Sequence, residues 1–158
     1  MPFKIQDQEQ DLWCWAAVAA SIDDYFSPGA SKSQPVIAAK VLGQSSCVGV
    51  IPDCNRTAKL QDALEVVERL EKDVTHALEF SEICRQIDQK LPVCARIRWF
   101  GTGAHFVVIT GYGISKSGKQ LLMIQDPWYP ESTLTYEEFG SAYLLGRGEW
   151  SDSFYVKK

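Results

Sequence analysis

The sequence predicts an α+β fold, with helices in its first part and an antiparallel sheet in its second. Before about residue 91 apolar residues recur at helical spacing, whereas after it they form short alternating runs rich in Val, Ile, Phe and Tyr. Short turn signals join the later runs, and short connections between successive strands favour antiparallel pairing. No repeat, low-complexity tract or linker interrupts the 158 residues. The chain therefore reads as one domain over 1–158, with a helical part at about 11–90 and a sheet part at about 91–158.

In the first part, Asp11 is the expected N-cap of an Ala-rich helix, "LWCWAAVAASIDDYF", with apolar residues on most faces and "SPG" as its stop. A second helix is expected at about 33–43, with Pro35 in its first turn and Gly43 after its last apolar residue. Residues 44–56 carry turn residues without a period and read as a loop. A third helix is expected at about 57–72, where Leu60, Ala63, Leu64, Val67 and Leu70 form one stripe, and "SEICRQIDQK" at 81–90 is a fourth. In the second part, "PVCARIRWF", "AHFVVITGYGI", "QLLMIQD", "STLTY" and "DSFYVK" read as strands, separated by "GTG", "SKSGK" and "PWYPE".

The composition excludes several classes. A formal charge of −4, with Lys and Arg scattered, argues against a nucleic-acid surface. No apolar run approaches the ~20 residues of a membrane-spanning helix. "MPFKIQDQEQ" lacks the apolar core of a secretory signal, so the expected compartment at synthesis is the cytoplasm, with signal-independent export as the other reading. The five cysteines show no CxxC, and the two histidines no zinc-type spacing, so no metal site is expected. Cys47 and Cys54 lie in the connecting loop, where a disulfide is one reading and, in a reducing compartment, free thiols are the expected one. Oligomeric state is not legible.

Cys14 reads two ways. It is a small apolar residue between two tryptophans, or a thiol in the first turn of a helix, where unpaired N–H groups and the helix dipole favour thiolate. A nucleophilic cysteine needs a base. His76 lies in a polar connecting stretch and reads as a solvated residue; His105 opens a core strand beside the "GTG" loop. If strands 104–113 and 120–125 pair around "SKSGK", Asp126 comes to lie roughly opposite His105, where a carboxylate would hold the imidazole ring. Asp before Pro127 is equally an ordinary turn residue. Gln6, Gln8 and Gln10 precede the cysteine, as a polar tail or as a source of an oxyanion donor.

These residues resemble the papain-like cysteine peptidases. "Gln-x-x-x-x-x-Cys-Trp", "AHFVVITGYG", and "QDPW" followed by "TLTYEEF" follow the family's Cys, His, Asp/Asn order over nearly the whole chain. They are most similar to two compact bacterial branches, the double-glycine leader peptidases of bacteriocin precursors and the effector proteases of plant-pathogenic bacteria. "CW" in place of Cys-Gly draws the chain toward the second. The resemblance implies a papain-like fold, with an N-terminal helical lobe carrying the nucleophile helix and a C-terminal antiparallel β-sheet lobe. It implies Cys14 as nucleophile, His105 as base and acid, Asp126 as orienting group and Gln8, ahead of Gln10, as oxyanion donor. Trp13 and Trp128 are expected at the substrate cleft, Trp128 as a shield for the His–Asp pair. The implied substrate is a protein or peptide, and no cofactor or metal is implied. A deamidase or transglutaminase with the same three residues, and a silent interaction domain of the same shape, are the rival readings.

Overall fold

The computed structural model describes residues 1–49 and 51–158. Helix α1 (Cys14–Phe26) is buried at every residue from Cys14 to Asp23, as its apolar faces require. It begins later than Asp11 predicts. The Trp13 N–H bonds the Gln10 carbonyl at 3.1 Å and the Leu12 N–H bonds Asn55 Oδ1 at 3.0 Å, so residues 10–13 form a turn and the helix starts without a side-chain cap. Helix α2 (Gln34–Leu42) keeps its expected signals, with Pro35 in the first turn and Gly43 left-handed at φ 66°.

The third helix is shorter than the stripe suggests. Helix α3 (Leu60–Val66) ends where Glu68 turns left-handed at φ 61°, and Leu70–Val74 leaves as strand β1. Leu60, Ala63 and Leu64 are fully buried, but Leu70 belongs to the strand. Helix α4 (Phe80–Asp88) follows.

The sheet then assembles from β2 (Val93–Trp99), β3 (Ala104–Ile114), β4 (Gln120–Gln125), β5 (Ser132–Thr135) and β6 (Gly148–Val156). Its order is β1-β6-β2-β3-β4-β5, and every neighbouring pair is antiparallel. The α+β class, with helices first and an antiparallel sheet after, is the one the sequence predicts. Two helical pieces after the first strands of the sheet were not predicted. Helix α5 (Tyr136–Ser141) opens on a capping box between Thr135 and Glu138, and a single turn, α6 (Tyr143–Gly146), leads into β6.

Both faces of the sheet are covered. Phe106, Val108, Cys94 and Phe154 pack with α1, α2 and α3, while Val107, Ile109, Ala95 and Ile97 pack with α4, α5 and Tyr143. Strand alternation thus feeds two cores, which explains why "HFVVITG" is apolar without a break. Helix α4 therefore sits across the sheet from the other early helices, so the change of texture at 91 is not a spatial boundary.

One sequence expectation is corrected in the loop after α2. Cys47 and Cys54 form a disulfide, their Cα atoms 5.7 Å apart and within the span such a bridge needs. The one-turn helix Pro52–Cys54 folds the chain back on itself and brings the two thiols together. Cys14, Cys84 and Cys94 are free. Among the described residues no helix is long and apolar enough to cross a membrane.

Candidate active site

Helix α1 starts at Cys14, whose backbone N–H is the first of the orphan donors at its N-terminal end. Its side chain is 9 % exposed and opens onto a groove of about 1030 Å³. Gln8, Trp15, Trp99, His105 and Trp128 also line that groove.

Strand register brings His105 and Asp126 together. Strand β3 pairs with β4 through Val108↔Gln125, so the chain leaves β4 one residue later and turns toward the start of β3. His105 Nε2 and Asp126 Oδ1 are 2.7 Å apart, both side chains buried. Cys14 and His105 line the same groove, and the thiol adds to the groups that raise the proton affinity of the ring. With Nε2 on Asp126, Nδ1 is the ring atom left to face the thiol.

The electrostatics of this cluster are cooperative. Burial works against a charged imidazole, but the hydrogen bonds and charges of Asp126 and Cys14 outweigh it and push His105 up to about 9. Burial likewise works against the Asp126 carboxylate, yet it is held below its ordinary value by His105, by the Tyr143 hydroxyl and by the Trp128 N–H. Cys94, buried in the core, is by contrast pushed far up by desolvation and has no such partner. A thiol and an imidazole that favours its proton in one groove, with an ionised carboxylate buried behind the imidazole, can generate a thiolate–imidazolium pair, the chemistry of nucleophilic acyl transfer.

Gln8 is held in the groove lining by an N-terminal strap. Its N–H bonds the Pro127 carbonyl at 3.0 Å, next to Asp126, while the Ile5 N–H and Phe3 carbonyl bond the Gln125 side chain. The Gln8 amide nitrogen donates to the Gln10 and Asp11 carbonyls at 2.8 and 2.7 Å. Its oxygen is buried without a partner among the described residues. Gln10 turns away, toward the Gly49 carbonyl, and Gln6 binds the Gln34 side chain, so the three glutamines are anchored rather than a loose tail.

The tryptophans divide differently from expectation. Trp13 is 1 % exposed and its indole N–H donates to the Cys54 carbonyl, so it is a core residue under the disulfide loop, not a wall of the groove. Trp15 takes the groove position instead. Trp128 does line the groove, but half exposed; its backbone N–H, not its ring, bonds Asp126. The ring that covers His105 is Trp99, stacked at 5.8 Å and 19°, with Tyr129 edge-on at 6.1 Å. Sequence reasoning missed Trp99 and Tyr143, whose hydroxyl donates to Asp126 Oδ2 at 2.6 Å. A signal for Trp99 was present: closing "FGTG" as a hairpin loop sets it diagonally across from His105, on the same face. His76 is exposed and outside the groove lining. Among the described residues no group of three side chains is arranged to hold a metal ion.

The chain is similar to SERA5E from Plasmodium falciparum at 13 % identity and TM-score 0.52, over 99 % of this chain and 91 % of that one. It is also similar to bromelain from Ananas comosus, solved with an inhibitor, at 12 % identity and TM-score 0.49, over 98 % and 93 % of the two chains. No curated protein sequence matches. The family described as papain-like cysteine protease AvrRpt2 matches over residues 1–143, which hold every groove-lining residue except Asp152 and Phe154. The chain belongs to that family of papain-like cysteine proteases, and it is a thiol hydrolase.

Proposed function

We propose that the protein hydrolyses peptide bonds with Cys14 as nucleophile, His105 as base and acid, Asp126 as the group that orients His105, and Gln8 with the Cys14 N–H as oxyanion donors. The observation that carries this reading is the His105–Asp126 contact at 2.7 Å beside a thiol at the start of a buried helix. The Cys14 thiolate attacks the carbonyl carbon of a peptide in the groove, and the charge passes to the carbonyl oxygen. Imidazolium at His105 gives its proton to the leaving amine, and a thioester to Cys14 remains. His105, now neutral, takes a proton from water, which attacks the thioester, frees the acid product and leaves the Cys14 thiolate beside the imidazolium as at the start. Asp126 keeps the ring in one tautomer and stabilises its positive form at each stage.

The Gln8 amide supports the oxyanion role by position, while its two carbonyl contacts compete with that role. Charge developing on the substrate oxygen favours a turn of the amide that frees an N–H for it. The test is peptide cleavage by the Cys14→Ala variant, read by mass spectrometry on a peptide library. We expect no cleavage and an unchanged circular dichroism spectrum. Full cleavage by that variant overturns the assignment. A mass gain on glutamine without chain scission, lost in the same variant, instead assigns the three residues to deamidation.

A further inference from the structure

We propose that Tyr143 is a positioning residue for this chemistry: its hydroxyl holds the second oxygen of Asp126 and its ring backs Trp99, fixing the plane in which His105 meets Cys14. The inference rests on the three-residue reading above.

Asp126 is 3 % exposed, and its two oxygens are served from different elements. Oδ1 accepts from His105 Nε2 and from the Trp128 and Tyr129 backbone N–H groups, which fix where the carboxylate sits. Oδ2 accepts the Tyr143 hydroxyl at 2.6 Å, which fixes its rotation about the Cβ–Cγ bond. Without that donor a buried carboxylate oxygen is left bare, and the ring it orients gains freedom. Tyr143 is itself 1 % exposed; burial, then the Asp126 charge, pushes its hydroxyl far above the ordinary tyrosine value, so it remains a donor. Its ring lies 6.2 Å from Trp99 at 29°, and Trp99 lies 5.8 Å from His105 at 19°. The three rings form a stack whose first and last members each bind Asp126.

The backbone behind Tyr143 points to the same role. Leu144 and Leu145 are left-handed, at φ 49° and 60°, followed by Gly146 at 82°. Two consecutive non-glycine residues in this region are costly, and the fully exposed Leu145 recovers nothing through burial. The turn does one visible thing, which is to carry the chain from α5 into β6 while aiming Tyr143 inward. Arg147 N–H and the Gly148 bridge close it around Tyr143.

The titratable groups of this cluster are Cys14 on α1, His105 on β3, Tyr129 after β4 and Tyr143 on α6, gathered about Asp126. The test is the pH dependence of Cys14 alkylation by iodoacetamide, followed on the Cys14 peptide by mass spectrometry, in wild type, Tyr143→Phe and His105→Ala. Tyr143→Phe keeps the ring stack and removes the hydroxyl. The expected result is alkylation about tenfold slower at pH 6, with the acid limb moved upward and rates converging with wild type at high pH. Loss of packing alone would lower the thermal midpoint without moving the limb. Superimposable profiles for wild type and Tyr143→Phe, with His105→Ala displaced, overturn the role of Tyr143 alone. If His105→Ala also leaves the profile unmoved, the three-residue reading fails. Should Tyr143→Phe not fold, proton NMR of the wild type decides. A slowly exchanging Tyr143 hydroxyl proton that shifts as His105 titrates supports the proposal, and a freely exchanging one overturns it.

Discussion

The indole N–H of Trp13 donates to the carbonyl of Cys54 over 2.7 Å, which ties the residue just before helix α1 to one end of the disulfide. Asn55 and Arg56 continue the tie, accepting from the Leu12 N–H and the Trp15 indole. Three successive residues of the loop thus hold three of the four residues Leu12, Trp13, Cys14 and Trp15. The bridge spans a sequence separation of 7, and closing a loop of that size contributes about 2 kcal/mol by restricting the unfolded chain. The Cys47→Ser/Cys54→Ser variant is therefore expected to unfold about 2 kcal/mol more easily and to react more slowly at Cys14. Denaturant titration with and without reductant checks this. Wild-type protein whose midpoint ignores reductant would show that the hydrogen bonds suffice.

The His105–Asp126 pair sets a pH dependence of stability whose sign is fixed. His105 binds its proton more tightly folded, near 9, than unfolded, near 6.5. The stabilisation is complete below about 6.5 and is lost as pH rises through about 9. Asp126 acts in the opposite range: its stabilisation is present above its unfolded value of 3.8 and is lost as pH falls through its lower folded value. Unfolding free energy measured by denaturant between pH 6 and 10 should fall with pH in wild type and less so in His105→Ala. Parallel curves for the two proteins would remove His105 as the source.

Gln8 gives a sharper kinetic prediction. If its amide donates to the oxyanion, Gln8→Ala lowers kcat by ~10²–10³ with little change in KM, because the lost contact forms only in the transition state. Gln8→Glu is expected to be no better, since an ionised carboxylate has no N–H to give. Steady-state kinetics on a peptide found by library cleavage measures both. Undiminished kcat in Gln8→Ala would mean that the two carbonyl contacts are the amide's whole role.

Helix α1, helix α2 and strands β2 to β5 were legible because burial imposes a period and Gly or Pro marks their ends. Strand β1 was not. "LEKDV" is charged, and its Leu70 continues the stripe of α3, so only the left-handed Glu68, which no glycine announces, separates helix from strand. Leu144 and Leu145 hide the turn that presents Tyr143 in the same way. Local backbone states that tertiary contacts impose leave no mark in composition. His105 and Asp126 were found together because hairpin register relates them, whereas Tyr143 meets Asp126 through a chain reversal that no periodicity encodes. The disulfide was misread for another reason: compartment was used to decide chemistry that loop geometry decides.

Gly148 is the position where a single methyl group would reach the site from outside it. A Cβ there would lie 2.7 Å from Ile97 Cγ2, 2.7 Å from Trp99 Cε3 and 2.9 Å from the Arg98 carbonyl oxygen. All three belong to strand β2, whose backbone cannot shift without disturbing its pairing with β3. The Trp99 ring is the softest of the three, and it is the ring stacked on His105. Gly148→Ala is therefore expected to cost ~1–3 kcal/mol of stability through overpacking and, at a temperature where the variant is folded, to slow Cys14 alkylation at pH 6. Gly113→Ala, on β3 with no atom within 4 Å of the added carbon, is the matched control and should change neither. Thermal melts and alkylation rates of the two variants separate the effects. A Gly148→Ala protein that melts early yet alkylates at the wild-type rate would show that Trp99 packs the sheet without steering His105.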